Sequence, residues 1–133
     1  MNYHTRKWVK PEDLNANETL FGGKLLAWVD EEAALYAIIQ LENAHVVTKY
    51  MSSVEFISSA RQNDIVEIGI EPVKWGKSSL TLRAEVRNKM TQQPIVKIDE
   101  IVMVNLDNNG QPKPHGKTQV EFVSDRIAAQ KQQ

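Results

Sequence analysis

The stretch LFGGKLLAWVD, residues 20 to 30, places two glycines shortly before an aspartate at position 30. The first N–H groups of a helix have no intrahelical partner, and its aligned peptide dipoles put about half a positive charge at that end. A helix entered through Gly22-Gly23 therefore offers donors to a carbonyl oxygen that becomes an oxyanion, with no side chain to hold the group away. At ~3.6 residues per turn, the seven positions from Gly23 to Asp30 bring the acid back to the glycine's face, so one pocket can contain both donors and carboxylate. An ionised carboxylate two turns into an apolar helix is costly to desolvate unless it has partners or a task. Two plainer accounts stand beside this one: a tight strand-to-helix turn without a ligand, and an acid on the solvated helix edge that runs on into Glu31 and Glu32.

The other polar residues narrow the chemistry. Asn15 and Asn17 precede the glycines in DLNAN, where asparagine also builds Asx turns. His4, His45 and His115 lie far apart, with no spacing that suggests a metal site or a Ser-His relay. The serines of SSVEFISSA and KSS lack the GxSxG pattern of a nucleophile elbow. Cysteine is absent, which removes disulfides, thiolate metal sites and a cysteine nucleophile.

Asp30 has to be positioned by the elements around it. From Leu25 to Leu41 apolar residues fall on nearly every side of a helical wheel, which marks a central helix about 25 Å long, with Asn43 near its end. Four β-rich runs follow, at 46–57, 65–75, 79–89 and 95–106, separated by RQND, WGKS and MTQQP. In the third, Leu80, Leu82, Ala84 and Val86 alternate with Thr81, Arg83, Glu85 and Arg87, the period of a half-buried antiparallel strand. Pro72 suits an edge or a bulge. Short connections predict a meander of these four strands, and YHTRKWV adds a fifth. The fold class is α+β, with the helix across the concave face of a curved antiparallel sheet. A single sheet covers one side of such a helix, so the other side and any bare edge strand predict a homodimer.

The 133 residues fit one domain with a real core. Sixteen Lys and Arg against seventeen Asp and Glu give no overall field for nucleic acid, although cations gather between 74 and 97. The start, MNYHTRKWVKPED, has no signal-peptide pattern, and no stretch is apolar and long enough to span a bilayer, so a soluble, cytoplasmic protein is expected.

DLNANETLFGGKLLAWVDEEA resembles the loop-and-helix motif of the hotdog-fold acyl-CoA hydrolases, the group of the YciA-like enzymes and brain acyl-CoA hydrolase. VVTKYMSSVEFI resembles that family's strand after the helix, DIVEIGIEPVKWGKSSLTLRAEV its next hairpin with a Gly-basic-Ser-Ser turn, and VMVNLDNNGQP its last strand and exit. The likeness covers roughly residues 8 to 112, and several motifs in order are more specific than any one of them. It implies a hotdog domain over 1–112 and a tail over 113–133 that is a short packing helix or partly disordered. It also implies a sheet that two copies make continuous, often with three dimers forming a hexamer. Asn15 matches the family's active-site asparagine, Asp30 its catalytic carboxylate and Gly22-Gly23 its oxyanion-binding helix start. In the family the loop and the carboxylate of one site come from different subunits. Ser58-Ser59 stands where the family often has Lys-Pro near the nucleotide end of CoA. Arg61 or Lys77 could replace that cation, and Lys77, Ser78 and Ser79 suit phosphate oxygens.

These readings predict an acyl-CoA thioesterase that releases free CoA and a carboxylic acid. Asp30 acts as general base or nucleophile, Asn15 orients water or thioester, and the Gly22-Gly23 amides hold the oxyanion. Neither metal nor cofactor is expected, since CoA is part of the substrate, and neither nucleic acid nor membrane is expected as a partner. Three alternatives remain: a hotdog module that binds acyl-CoA without hydrolysing it, a purely structural oligomer, and a dehydratase, which would need a histidine at the helix entrance.

Overall fold

In a computed structural model of the chain, residues 1–123 are described. Strand β1 (Asn2–Trp8) and a single 3₁₀ turn (Pro11–Asp13) lead to helix α1 (Gly22–Leu41), then β2 (Val46–Phe56), β3 (Ile65–Trp75), β4 (Ser79–Asn88) and β5 (Pro94–Asn105). All pairings are antiparallel, and the strands lie in the order β1-β3-β4-β5-β2. The four strands after the helix and the fifth near the N-terminus occur where the alternation predicts them.

The predicted four-strand meander is corrected: β3, β4 and β5 form hairpins in series, but β2 crosses to the far edge beside β5. The segment after β2 does not fold back as a tight turn. The N–H groups of Ile57 and Ser58 both donate to the Ile95 carbonyl, at 2.8 and 3.3 Å. Leu20 N–H donates to Ala60 O at 2.8 Å, and Thr19 forms a bridge with Arg61. These bonds carry the chain across the end of the sheet, under the loop that opens α1.

Helix α1 starts at Gly22, three residues before the apolar run, and stops where Glu42 turns left-handed with φ 54°. Leu25, Val29, Ala33, Ala37 and Leu41 form its buried stripe. That stripe belongs to one core with Ile68, Leu80, Leu82, Ile98, Ile101 and Met103 of the sheet. Alanines at 33 and 37 let helix and sheet approach closely, while each larger aliphatic side chain contributes roughly 1.5–3 kcal/mol by leaving water. As the alternation predicts, Leu80, Leu82, Ala84 and Val86 are buried. Register shifts between residues 3 and 5, 48 and 50, 72 and 74, and 82 and 84 bend the strands, and Pro72 sits at one of them. Among the described residues, apolar side chains stay exposed on the helix, at Leu35 and Ile39, and along β2, at Val47, Tyr50, Val54 and Phe56.

The first part of the expected tail, 113–123, carries no helix and runs as a strap over the C-terminal end of α1. Buried Gln40 holds it like a strand partner: Nε2 donates to Phe122 O at 2.6 Å, and Oε1 accepts from the N–H groups of Glu121 and Phe122. The remainder of the tail, 124–133, with the short packing helix or disorder expected there, lies outside the described residues.

On the face of β3 away from the helix, Glu67 is buried, its carboxylate 2.5 Å from Arg87 Nε and 3.4 Å from Lys89 Nζ. Burial pushes the Glu67 carboxyl up, but the hydrogen bond and charge of Arg87, with Lys89, outweigh it and hold the group below its ordinary value. A carboxylate depressed on folding adds stability above its unfolded pKa and loses it as pH falls through the folded value. Glu67→Gln is therefore expected to cost about 2 kcal/mol at pH 7, and the difference should close in acid as wild-type Glu67 also becomes neutral. Urea unfolding of both proteins at pH 7 and pH 3 measures this, and an equal gap at both would contradict it.

Candidate active site

The loop before α1 is wound around one side-chain oxygen. Asn15 Oδ1 accepts from Asn17 N–H at 2.8 Å, Thr19 N–H at 3.2 Å and the Thr19 hydroxyl at 3.3 Å. The Asx-turn account of Asn15 is thus correct, yet it engages only the oxygen. Among the described residues no group accepts from Nδ2, which remains a donor in a fixed place.

The loop leads directly into the helix start, where Phe21 N–H donates to Asp13 O at 2.9 Å and Phe21 occupies the N-cap. Phenylalanine has no side-chain acceptor, so no side chain caps the helix and the first amides are left to another partner. A Cβ at Gly22 would lie 3.3 Å from the Phe56 ring, and one at Gly23 would lie 2.8 Å from the ring of Phe21. The glycine pair is what lets the end of β2 and the N-cap ring close around this entrance.

Asp30 is half-buried, and its Oδ1 accepts the Thr48 hydroxyl at 2.6 Å. Among the described residues no Lys or Arg pairs with it, so one oxygen is oriented by Thr48 while the carboxylate stays available for water or an acyl carbon. Thr48 belongs to β2 at the point where its register with β5 shifts. Sequence reasoning missed this residue. Its only signal was a hydroxyl at an alternating position in VVTKY, and threonine is ordinary in strands.

The residues expected to hold CoA do not gather in one chain. Arg61 is exposed at the end of the sheet where α1 begins, bridged to Thr19 beside the Asn15 loop. Lys77, Ser78 and Ser79 form the β3–β4 turn, where Ser79 pairs with Val104 and Val104 pairs with Val47 near the start of β2. That turn is therefore at the opposite end. It is tightly built, since a Cβ at Gly76 would collide with Ser79 Oγ. The strap also holds it: His115 N–H donates to Lys77 O at 3.1 Å, and His115 Nε2 lies 2.8 Å from Ser79 O. The other histidines, His4 and His45, are exposed. Among the described residues no three His, Asp or Glu side chains gather as a metal site.

An antiparallel sheet curved round one helix, which a glycine pair opens and which carries an acid two turns in, defines a hotdog thioesterase domain. The family model described as Thioesterase superfamily matches residues 17–95, and the chain belongs to that family. The acyl-CoA thioester hydrolase YciA of Salmonella typhimurium is 30% identical over 115 residues, spanning 82% of this chain and 86% of that one. A hexameric thioesterase from Yersinia pestis superposes with TM-score 0.78 at 27% identity, covering 85% of this chain and 93% of its own. An acyl-CoA hydrolase from Staphylococcus aureus, solved with butyryl-CoA, CoA and CoA disulfide, gives TM-score 0.74 at 30% identity, covering 83% and 66%. That enzyme was also solved with an asparagine, an aspartate or a threonine changed to alanine, the first two as far apart in sequence as Asn15 and Asp30.

Proposed function

We propose that this protein hydrolyses the thioester of fatty acyl-CoA to free CoA and a carboxylic acid, with Asp30 at the reacting centre. The observation that carries this is the Asp30–Thr48 hydrogen bond, which fixes a carboxylate without neutralising it. Asp30 takes a proton from water as the resulting hydroxide adds to the thioester carbon, or adds itself to give an anhydride that water then opens. In either route the C–S bond breaks and the thiolate of CoA leaves with a proton. The Gly23 amide at the uncapped helix start, with Gly22 beside it, receives the oxyanion, and Asn15 Nδ2 orients the water or the thioester. This chemistry draws on side chains and backbone amides of the protein, and coenzyme A enters as part of the substrate.

The site is completed by a second copy. Strand β2 is a long edge with apolar side chains, a template for its own pairing. A two-fold axis through β2 sets each strand antiparallel to its equal, with Phe56 near the start of the neighbouring strand. It carries the partner's Lys77, Ser78 and Ser79 toward the end where Gly22 and Arg61 lie. The separation of these CoA-binding candidates within one chain thus becomes proximity in the dimer. The hexameric assembly of the Yersinia pestis relative supports three such dimers as the full particle.

Thiol release from a panel of acyl-CoAs tests the activity, and hydrolysis of at least one is expected. Thr48→Val keeps the strand and removes the donor to Asp30. The loss of a charge-assisted hydrogen bond should lower kcat by roughly ten- to a hundredfold with little change in KM. Binding without release of thiol from any substrate would make the protein a carrier rather than a hydrolase.

A further inference from the structure

His115 joins no metal cluster among the described residues, and it lies outside the residues 17–95 that the family model matches. Its ring is nevertheless held at both nitrogens. Lys117 N–H donates to Nδ1 at 2.9 Å, and because a backbone N–H only donates, the proton of the neutral ring sits on Nε2. Nε2 then donates to Ser79 O at 2.8 Å. Trp75 meets the ring edge to face, with centroids 6.3 Å apart, and fixes its plane. The imidazole is thus a clamp between the strap and the β3–β4 turn.

The clamp governs which groups the turn presents. All three carbonyls are tied from behind: Lys77 O accepts from the His115 N–H at 3.1 Å, Ser78 O from the Asn105 N–H at 2.8 Å, and Ser79 O from the Gly76 N–H at 2.9 Å as well as from the ring. In a trans peptide the C=O and the following N–H point in opposite directions, so the bond on Lys77 O aims the Ser78 N–H away from the strap. Among the described residues the N–H groups of Lys77 and Ser78 have no acceptor. Those donors share an exposed turn with the Lys77 ammonium and the Ser78 hydroxyl, a set suited to anionic oxygens. Behind the clamp, buried Asn105 donates through Nδ2 to Lys113 O at 2.8 Å and accepts from Asn43 at the end of α1, so the strap cannot slip at its start. Among the described residues, His115 is the one strap side chain hydrogen-bonded to the turn.

We propose that His115 is a positioning residue for acyl-CoA, holding the Lys77–Ser79 turn in the form that receives the substrate's phosphates. The inference rests on the reading that this turn meets CoA, and it gives His115 neither a contact with substrate nor a part in bond breaking. An exposed turn left untied must lose its freedom at each binding event, at a cost to affinity. The effect of His115 therefore falls on KM, and only for substrates that carry phosphates.

Hydrolysis of an acyl-CoA beside the same acyl group on pantetheine, which lacks every phosphate, tests this. Asparagine places an oxygen where Nδ1 stands and glutamine an amide nitrogen where Nε2 stands, so two substitutions separate the two ends of the clamp. His115→Leu and His115→Asn should raise KM for acyl-CoA by about fivefold or more, leave kcat within about twofold, and leave acyl-pantetheine hydrolysis unchanged. His115→Gln, which can still donate to Ser79 O, should recover most of the lost affinity. Calorimetry with CoA and with pantetheine reads the same order without turnover. CoA binding that follows this pattern in a protein that hydrolyses no acyl-CoA would support the positioning role and overturn the hydrolase reading instead. Equal losses on acyl-CoA and acyl-pantetheine would reduce His115 to a contact that stabilises the fold and overturn the proposal. Unchanged KM and CoA affinity in His115→Leu, or His115→Gln as impaired as His115→Leu, would overturn it too.

Discussion

Asp30→Asn is expected to lower acyl-CoA turnover by about two orders of magnitude or more while the protein stays folded. Asparagine has nearly the same size, and its Oδ1 can still accept from the Thr48 hydroxyl that now holds Asp30 at 2.6 Å. The geometry of the pocket is therefore preserved and the basicity is lost. General base catalysis contributes about 10²–10⁴-fold, and a nucleophile that cannot attack removes at least as much. Thiol release, thermal melting and CoA affinity measured side by side give the result its meaning. Normal melting, normal CoA affinity and near wild-type turnover would show that the carboxylate does not take part. Thr48→Val acts on the same carboxylate from outside, so its smaller effect should largely disappear in the Asp30→Asn background.

The elements that carry this chemistry were legible because their patterns are strong. Leu80 to Val86 alternate without a break, and the strand they predict is buried residue by residue. The apolar run of α1 gave the helix, and the glycine pair gave its start. Strand order was less legible. RQND does form the turn it reads as, with Asp64 N–H on Arg61 O at 3.0 Å, but the residues before it first cross the end of the sheet through the bonds that Leu20, Ile57 and Ser58 make with distant parts of the chain. Thr48 escaped for a related reason: its importance comes from a contact with a residue eighteen positions away, and no local pattern announces it. The strap was hidden as well, because it depends on Gln40, a polar residue in an apolar helix whose partners lie more than eighty positions later. Asn15 shows a further limit of residue types. Turn-building and active-site readings looked like competitors, but the oxygen does the first and leaves the nitrogen free for the second.

Mixing two inactive variants is expected to restore activity, the largest gain that any of these changes should produce. Asn15 stands in the loop before α1, whereas Asp30 lies about two turns into it, on a helix with a bare edge strand beside it. If dimerisation through β2 sets the Asn15 loop of one subunit against Asp30 of its partner, every site in an Asn15→Ala dimer lacks the asparagine. Every site in an Asp30→Asn dimer lacks the acid. In a mixed dimer one site carries both lesions and the other carries none, so subunit exchange should recover up to about half of the wild-type rate per mixed dimer if sites act independently. Exchange is verified by mass, with one variant labelled, before thiol release is measured. Light scattering should at the same time find no monomer at micromolar concentration, since Val47, Tyr50, Val54 and Phe56 leave water only on pairing. If verified exchange leaves activity at the level of the parents, Asn15 and Asp30 serve one site within one chain, and the cross-subunit arrangement is refuted while hydrolysis by Asp30 stands.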